Sequence, residues 1–402
     1  MDPALQEWLD LALRWMHAIA GIAWVGTSFF FNWLDARMSP PKERAAGVDE
    51  EMWLVHSGGF YVFNKMNRIR PDKPTPLGDE AMATWVTGML LLIVVFYFSA
   101  SLYLLDPAVS DINVYDAIFI GLTTIVAGWL IYDLFWQTGF AIRNQGWAIF
   151  LSCLGLIAVT YFLHQVMSAR GAYIHVGVMM GTIMWANVRV RILPAQIKMV
   201  SETAPDDQPS IELEANAKRR STHNNYMTLP VVIVMISGHF PATYAHEYAW
   251  IVLLALFAVG AAARHAFNLA NHGHEGKWPL LGASLAGLAI IALAVSPMSI
   301  SRGDTTSTKV AGLEVAAAFQ QVRLTIGRHC LNCHSETPTH PDFEQPPKGV
   351  VFDTPRSIQL HAALIKKTTV DANIMPLGNH TDMTPAERGV LRDWIAAGAR
   401  IR

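Results

Sequence analysis

The chain has 402 residues, of which 52% are hydrophobic and 15% charged, and its formal net charge is −2. Soluble domains usually carry about 25% charged residues, so this composition excludes an ordinary soluble enzyme and a disordered chain. The near-neutral charge lacks the basic footprint of a nucleic-acid-binding protein, and three cysteines are too few for a secreted module built on disulfides.

Eight apolar windows approach or exceed the length of about 20 residues that a helix needs to cross the hydrocarbon core of a bilayer. They are Leu9–Leu34, Ala81–Leu105, Val114–Trp136, Trp147–Met167, Ala172–Leu193, Tyr226–Phe240, Tyr248–Leu269 and Pro279–Met298. The sequence therefore predicts an all-α fold, in which residues 1–298 form an eight-helix transmembrane bundle. The N-terminal residues show no basic region or cleavage site, so we expect the first helix to remain as an uncleaved anchor.

The basic residues are unevenly distributed among the loops between these helices. Odd-numbered loops contain, among others, Arg37, Arg143 and Arg189, whereas the second, fourth and sixth loops contain only Arg170. Because Lys and Arg are retained on the cytoplasmic side, we expect both termini to face the periplasm. The predicted location is therefore the inner membrane of a bacterium, with a multi-pass chain in contact with the lipid bilayer.

The composition changes beyond the last apolar window. Residues 299–309 form a short polar linker, and residues 310–402 regain charged residues and Pro-rich loops. The predicted last helix, Pro385–Ala397, begins with a capping box in which Thr384 is the N-cap and Glu387 lies three residues later. These features predict a small soluble domain on the periplasmic side.

The sequence of this tail contains the attachment pattern for haem c. Cys330 and Cys333 are one helical turn apart and are followed directly by His334, so two thioethers and an axial imidazole can form on one porphyrin. A zinc site would need two further paired ligands, and a thioredoxin-type motif would need a βαβ context. We therefore predict covalent haem c, with His334 on the iron.

The second axial ligand of this haem iron is expected downstream, from a Met or His. Met375 lies in a Pro-containing loop before the last helix and is the first choice, so that His334 and Met375 together hold the iron. Met383 adjoins the helix cap and is expected to pack there, and His380 is a third choice. With a helix at each end, the tail resembles a class I cytochrome c, whose haem is attached in the periplasm.

Five histidines fall toward the periplasmic half: His17, His164, His175, His239 and His246. His164 and His246 are expected to lie at the interface, which leaves His17, His175 and His239 as candidates. Ionisable residues inside a membrane are costly and often functional. His17 shares a helix face with Gly21 and Trp24, which allows close approach of a flat group. The three histidines could form a second redox centre, a b-type haem or a metal, or they could be hydrogen-bonded packing residues.

Three clusters of polar and aromatic residues lie toward the cytoplasmic half. They are His56 to Tyr61 followed by Lys65, His223 to Tyr226, and Arg264 and His265 with Asn268. Stacking surfaces, amides and cations in combination suit a flat, anionic, nitrogen-rich heterocycle. The alternative is that these are ordinary interfacial aromatic and basic residues.

Four segments resemble the bacterial membrane-bound urate oxidase (urate hydroxylase) family: Trp15 to Gly26, His56 to Tyr61, Arg189 to Gln196 and His223 to Pro230. In that family a multi-span N-terminal domain precedes a C-terminal cytochrome c, which is the domain order predicted here. This sequence has Ser57, Gly58 and Gly59 where the family has three glycines. The first helix is also similar, more loosely, to haem-binding membrane proteins related to protoporphyrinogen oxidase.

The resemblance implies that urate and water give 5-hydroxyisourate, two protons and two electrons. The electrons would leave through haem c to a respiratory acceptor, either a soluble cytochrome c or a terminal oxidase. We expect the purine to be bound by Asn224, Asn225, Arg264 and His265, stacked on Phe60 or Tyr61, and deprotonated by His56, Lys65 or His223.

Two rival functions follow from the same sequence. The first is an electron-transfer subunit that is fed by quinol or a partner and has no organic substrate, but it leaves the cytoplasmic clusters unused. The second is a porphyrinogen-type dehydrogenase, which would need a larger apolar pocket than a purine does.

Overall fold

The computed structural model describes residues 3–41, 47–66, 77–106, 109–201, 208–240, 243–244, 248–274, 276–295 and 312–401. Its long helices in the first three quarters of the chain are α1 (Pro3–Asp35), α2 (Asp79–Leu91), α4 (Val114–Phe135), α6 (Gln145–Val166), α7 (Ala169–Ala186), α9 (Gln208–Ser237), α10 (Ala249–Asn271) and α11 (Lys277–Val295). Three shorter helices lie between them: α3 (Ala100–Tyr103), α5 (Gly139–Arg143) and α8 (Leu193–Ser201). Each of the eight predicted windows falls on one of the long helices.

Six helices in the described part of the chain are long and apolar enough to cross a membrane. They are Asp79–Tyr97, Val114–Phe135, Gln145–Val166, Ala169–Lys198, Ala249–Asn271 and Lys277–Val295. The other two windows are helical but more polar, since α1 carries Trp, His and Asn side chains and the first half of α9 is rich in charge. The structure is thus compatible with a multi-pass membrane protein, and the count of eight spans remains a prediction.

The outer faces of the candidate spans expose large apolar side chains. Phe119 on α4 is 70% exposed and Ile290 on α11 is 67% exposed. Lipid solvates apolar side chains on an outer helix face favourably, and a helix satisfies its own backbone hydrogen bonds there. This surface supports a lipid environment.

The centre of the bundle is α7, which is buried along most of its length. Glycines allow its neighbours to approach closely, as small residues do between membrane helices. A Cβ atom on Gly177 would lie 2.5 Å from Val234 of α9, and one on Gly128 of α4 would lie 2.5 Å from Met179. The close packing fixes the relative positions of α4, α7 and α9, which carry the site described below.

Within the helical bundle, two segments of the described chain form π-helical turns, which are wider than α-helical ones. Leu92–Tyr97 continues α2, and Asn187–Ile192 joins α7 to α8. Such turns are uncommon inside α-helices and are frequent at functional sites. The second turn places Asn187 and Arg191 beside α4 and α9.

A two-stranded antiparallel hairpin departs from the all-α expectation. Strand β1 (Glu50–His56) pairs with β2 (Gly59–Lys65), and His56 lies opposite Gly59. Both turn residues have positive φ, at 49° for Ser57 and 78° for Gly58, as in the two-residue turns that suit a twisted hairpin. The segment is rich in Trp, Val, Phe and Tyr, which favour strands, whereas the all-α prediction contains no strand here.

The C-terminal unit begins with α12 (Gly312–His329) and ends with α15 (Pro385–Ala396), and α13 (Pro355–Leu360) and α14 (Ala362–Ile365) lie between them. Phe319 and Trp394 bring the first and last helices together, with ring centroids 5.7 Å apart. The predicted capping box between Thr384 and Glu387 is confirmed. Hydrogen bonds from His329 and Thr384 lower the pKa of Glu387 to about 2. The predicted linker, residues 299–309, lies outside the described residues.

The loops sort to two ends of the bundle. At one end, the Ser110 Oγ donates to the carbonyl of Val166 at 2.7 Å. The C-terminal unit contacts this same end, where the Nε2 of His380 donates to the carbonyl of Ser101 at 3.0 Å. The hairpin lies at the opposite end, beside the last residue of α1. This alternation agrees with the predicted loop order, and the compartment at each end remains a prediction.

Candidate active site

A cavity of about 570 Å³ opens between α1, α2, α9 and the π-helical turn, toward the hairpin end of the bundle. Its polar lining includes Ser28, Asn32, Glu80, Gln196 and Asn224, and its apolar lining includes Trp24, Phe31, Met184 and Val188. Ligand sites typically have this volume and this mixture of apolar walls with a few polar groups. Asn224 is the predicted substrate-binding residue that lines the cavity.

Two carboxylates, Asp35 and Glu80, also line the cavity and were not identified from the sequence. Lys65 of the hairpin lies 2.6 Å from Asp35 and 3.1 Å from Glu50. The hydrogen bond from Lys65 to Asp35 raises the pKa of the lysine, so its ammonium stays protonated. This environment favours a role for Lys65 in anchoring the hairpin over a role in accepting a proton.

A buried ion-pair network adjoins the cavity, centred on Asp133 of α4. Arg191 donates from Nε to the Oδ1 of Asp133 at 2.9 Å, and its Nη2 also contacts this carboxylate. Arg220 of α9 donates to Oδ1 at 3.0 Å and is fully buried. Two cations on one carboxylate leave a net positive charge, with the second guanidinium stacked 5.0 Å from the ring of Tyr132.

Asn187 connects this network to the cavity, and its amide has one allowed orientation. Because a guanidinium only donates, the Asn187 Oδ1 faces the Nη1 of Arg220 at 3.4 Å. The amide nitrogen therefore donates to the Tyr132 hydroxyl oxygen at 3.1 Å and to the Asn224 Oδ1 at 2.9 Å. Asn224 in turn donates to the carbonyl of Met184 at 2.9 Å.

Tyr132 also connects the network to His223. Its oxygen accepts from Asn187 and lies 2.7 Å from the Nδ1 of His223. When the tyrosine donates its proton to this nitrogen, the imidazole carries its own proton on Nε2. Trp136 packs against the ring, with centroids 4.2 Å apart. A proton taken up by His223 would enter at Nδ1, the atom that already faces Tyr132.

On the next face of α9, Asn225 holds the buried cation of α10. The Arg264 Nε donates to the Asn225 Oδ1 at 2.9 Å, and Asn268 donates to the same oxygen at 3.0 Å. Arg264 is 1% exposed and lies over the ring of Phe29, 3.5 Å from its centroid. Neither of its terminal nitrogens has a hydrogen-bond partner among the described residues. An unpaired buried cation is costly, so this guanidinium would gain from an anionic or carbonyl-rich ligand. Arg264 does not line the cavity described above.

The remaining predicted substrate residues lie apart from this group. His56, Phe60 and Tyr61 project from the end of the hairpin, where Phe60 is 77% exposed. Within the described ranges, none of the three makes a hydrogen bond or ring contact with Asn224 or the Arg264 side chain. His265 is exposed, and its Nδ1 accepts from the Tyr226 hydroxyl at 2.7 Å.

His17, His175 and His239 do not fit a haem held between two of their imidazoles. The buried His175 donates from Nδ1 to the carbonyl of Gly171 at 2.8 Å and accepts at Nε2 from Tyr97 at 3.1 Å. Its Nε2 also points at α4, since a Cβ on Gly121 would lie only 2.3 Å away.

Of the other two histidines, His17 donates from Nδ1 to the carbonyl of Thr84 at 3.0 Å. His239 is exposed in the turn after α9. His175 is thus the one of the three whose two ring nitrogens are both hydrogen-bonded within the described residues. Among the described residues, no three His, Cys, Asp or Glu side chains cluster as a metal site.

The residues predicted for haem c fit that group chemically. Cys330 and Cys333 are free thiols on one turn, and the amide of His334 donates to the carbonyl of Cys330 at 2.8 Å. The His334 Nδ1 donates to the carbonyl of Val350 at 2.9 Å. This hydrogen bond orients the ring and leaves the Nε2 lone pair for iron, as in other metal-bound histidines.

The two methionines differ as expected from the sequence. Met383 is 3% exposed and packs in the core with Leu391 and Trp394. Met375 is half-buried, and Arg388 donates to its carbonyl at 2.6 Å. This arrangement leaves Met375 as the candidate second axial ligand.

A family model described as urate oxidase N-terminal matches residues 3–296. No curated protein and no solved structure matches the chain. The matched range contains the cavity, the Asp133 network and Arg264, and it ends before the C-terminal unit. Since the match covers most of the chain, the protein belongs to the urate oxidase N-terminal family.

Proposed function

We propose that this protein oxidises urate to 5-hydroxyisourate in a bacterial inner membrane, and that the electrons pass through haem c to a respiratory acceptor. Family membership points to an oxidoreductase that acts on urate. The observation that carries the proposal is Arg264, a buried guanidinium with two unpartnered nitrogens beside Asn225. Urate is a planar anion with alternating N–H and C=O groups, which suits this edge together with Asn224.

The balanced reaction converts urate and water to 5-hydroxyisourate, two protons and two electrons. The new C–O bond takes its oxygen from water, so molecular oxygen is not consumed at this step. In the proposal, Asn224 binds an adjacent N–H and C=O of the purine within the cavity. Arg264 is buried beside Asn225 and does not line the cavity, so its terminal nitrogens would turn toward the anionic edge of the purine on binding. The carboxylates of Asp35 and Glu80 are placed to orient the attacking water within the cavity.

His223 is the favoured base among the three predicted from the sequence. Its Nδ1 faces the Tyr132 hydroxyl, which could pass its proton to the imidazole and take one back from a water molecule. The Asn187 amide positions this hydroxyl and carries no proton itself. His56 lies on the exposed hairpin, and Lys65 is held protonated by Asp35. Both are therefore weaker candidates for this role.

In the C-terminal unit, Cys330 and Cys333 would attach haem c, and His334 with Met375 would hold its iron. The haem supplies stepwise, one-electron acceptance. The chain contributes the orientation of the histidine ring through Val350 and the anchoring of the methionine loop through Arg388. A soluble cytochrome c or a terminal oxidase would then take the electrons in the periplasm.

The oxygen source tests this reaction directly. Detergent-purified holoprotein is incubated anaerobically with urate, an excess of oxidised cytochrome c and water enriched in ¹⁸O. We expect the product to gain one ¹⁸O atom and two cytochromes to be reduced for each urate consumed. In a parallel aerobic incubation with ¹⁸O₂ and ordinary water, incorporation of ¹⁸O into the product would refute the proposal. Cytochrome reduction by quinol without urate turnover would refute it as well.

A further inference from the structure

The buried network described above ends on a single amide in the cavity wall. Asn224 has two N–H groups and two acceptor lone pairs. One N–H donates to the carbonyl of Met184, and one lone pair accepts from Asn187. The remaining N–H and lone pair belong to the side chain that lines the cavity. The amide therefore offers its ligand one donor and one acceptor in a fixed order.

The order is set by groups that cannot exchange roles. A carbonyl only accepts, so the Met184 oxygen holds the nitrogen end of Asn224. Arg220 only donates, so it holds the oxygen end of Asn187. Arg220 is itself fixed by Asp133 at 3.0 Å. Reversing either amide would bring two donors or two acceptors together in a buried place, which costs more than the loss of one hydrogen bond.

The π-helical turn explains how Asn187 reaches this position. Asn187 begins the turn and is fully buried, and Arg191 within the same turn binds Asp133. Both side chains thus project toward α4 and α9. A turn of this kind commonly marks a functional site, and here it joins an ion-pair network to the wall of a cavity.

We propose that Asn187 is a positioning residue that orients the Asn224 amide for an oxopurine. An adjacent N–H and C=O on the substrate then pair with the lone pair and N–H of Asn224. The inference rests on the proposed function and deepens it, because it assigns recognition of the purine edge to a residue that does not line the cavity. Asn187 acts through Asn224 and is not itself a catalytic residue.

The test compares two substitutions that separate orientation from packing. In Asn187→Asp the shape is retained, but the carboxylate only accepts, so it repels the Asn224 oxygen, while the Met184 carbonyl opposes reversal of the amide. In either orientation the Asn224 amide loses one of its two fixed partners and meets an acceptor with its oxygen. In Asn187→Ala the Met184 carbonyl still holds the Asn224 nitrogen, only the hydrogen bond from Asn187 is lost, and a small void is left. If Asn187 orients Asn224, the Asn187→Asp variant should bind urate more weakly than the Asn187→Ala variant. If Asn187 only fills space, the Asn187→Ala variant should bind urate more weakly.

The readouts are the KM for urate in anaerobic turnover with an excess of oxidised soluble cytochrome c as electron acceptor, the haem content and the Tm of each full-length holoprotein. We expect KM to rise about tenfold or more in Asn187→Asp and about two- to threefold in Asn187→Ala, as for the loss of ordinary hydrogen bonds. The Tm should fall more in Asn187→Ala. Ser284→Ala is the matched control, since Ser284 is a buried polar residue on α11 that bonds only within its own helix.

The outcomes separate this inference from the proposed function. Wild-type protein whose haem is not reduced by urate would refute the proposed function and the inference with it. Urate-dependent reduction with an unchanged KM in Asn187→Asp would overturn the positioning role alone. A KM that rises more in Asn187→Ala than in Asn187→Asp would also overturn it, because packing would then explain the effect.

Discussion

Replacing Arg264 by Met should weaken urate binding strongly and leave the protein as stable as before. The arginine is 1% exposed, with two terminal nitrogens that lack partners among the described residues. Removing a buried and unpaired charge relieves a desolvation cost of several kcal/mol. That gain offsets the lost contact with Phe29, about 0.5–2 kcal/mol, and the lost hydrogen bond to Asn225, about 1.5–3 kcal/mol.

Urate should lose charge-assisted hydrogen bonds worth about 1.5–3 kcal/mol in the Arg264→Met variant, which corresponds to a roughly 10- to 150-fold higher KM. The assay is anaerobic turnover at a series of urate concentrations with an excess of oxidised soluble cytochrome c as acceptor, together with thermal unfolding of the same preparation. Arg143→Met is the control, because Arg143 is an exposed cation that does not line the cavity. An unchanged KM, or a large loss of stability at normal KM, would refute the assignment of this guanidinium to the substrate.

Three further predictions concern packing, the haem and pH. Gly121→Ala should destabilise the bundle by about 1–3 kcal/mol, measured by thermal unfolding, because its Cβ would lie 2.3 Å from His175. Met375→Ala should change the haem spectrum and potential at nearly constant stability, whereas Met383→Ala should cost about 2–5 kcal/mol of stability in chemical unfolding. The lowered pKa of Glu387, about 2 against 4.5, stabilises the C-terminal unit above about pH 4.5. That contribution is lost as pH falls toward 2, and Glu387→Gln should flatten this dependence in acid titration.

The positions of the helices could be predicted from hydropathy because lipid-facing helices are apolar over a length set by the bilayer. All eight windows fall on helices, and Val114 is the predicted and observed first residue of α4. The capping box at Thr384 could also be predicted, since it depends on two residues three positions apart in the sequence. Local rules of this kind need no knowledge of the fold.

The Asp133 network could not be predicted in the same way. It joins α4 to the π-helical turn and to α9, so its pairs are 58 and 87 residues apart in the chain. The isolated acid within an apolar window was the available signal, because an intramembrane carboxylate normally has a partner. The sequence contains several arginines that could serve, and only helix packing selects Arg191 and Arg220.

Some of the candidate substrate residues lie at the site, as the sequence predicted, and others lie elsewhere. Asn224, Asn225 and Arg264 were singled out from the sequence. Asn224 lines the cavity, whereas Asn225 and Arg264 form a hydrogen-bonded pair between α9 and α10. The stacking role expected of Phe60 depended on interpreting its segment as a loop over the site. The residues instead pair as a hairpin, and the ring beneath the guanidinium is Phe29.

The most direct test of the account is the response of the haem to urate. Oxidised, detergent-purified protein is mixed anaerobically with urate, and the haem absorption bands are recorded with xanthine as the control. The account predicts that urate reduces haem c within the same polypeptide and that xanthine does not. No reduction by urate, with full reduction by a quinol, would contradict urate oxidation and identify the chain as an electron-transfer subunit.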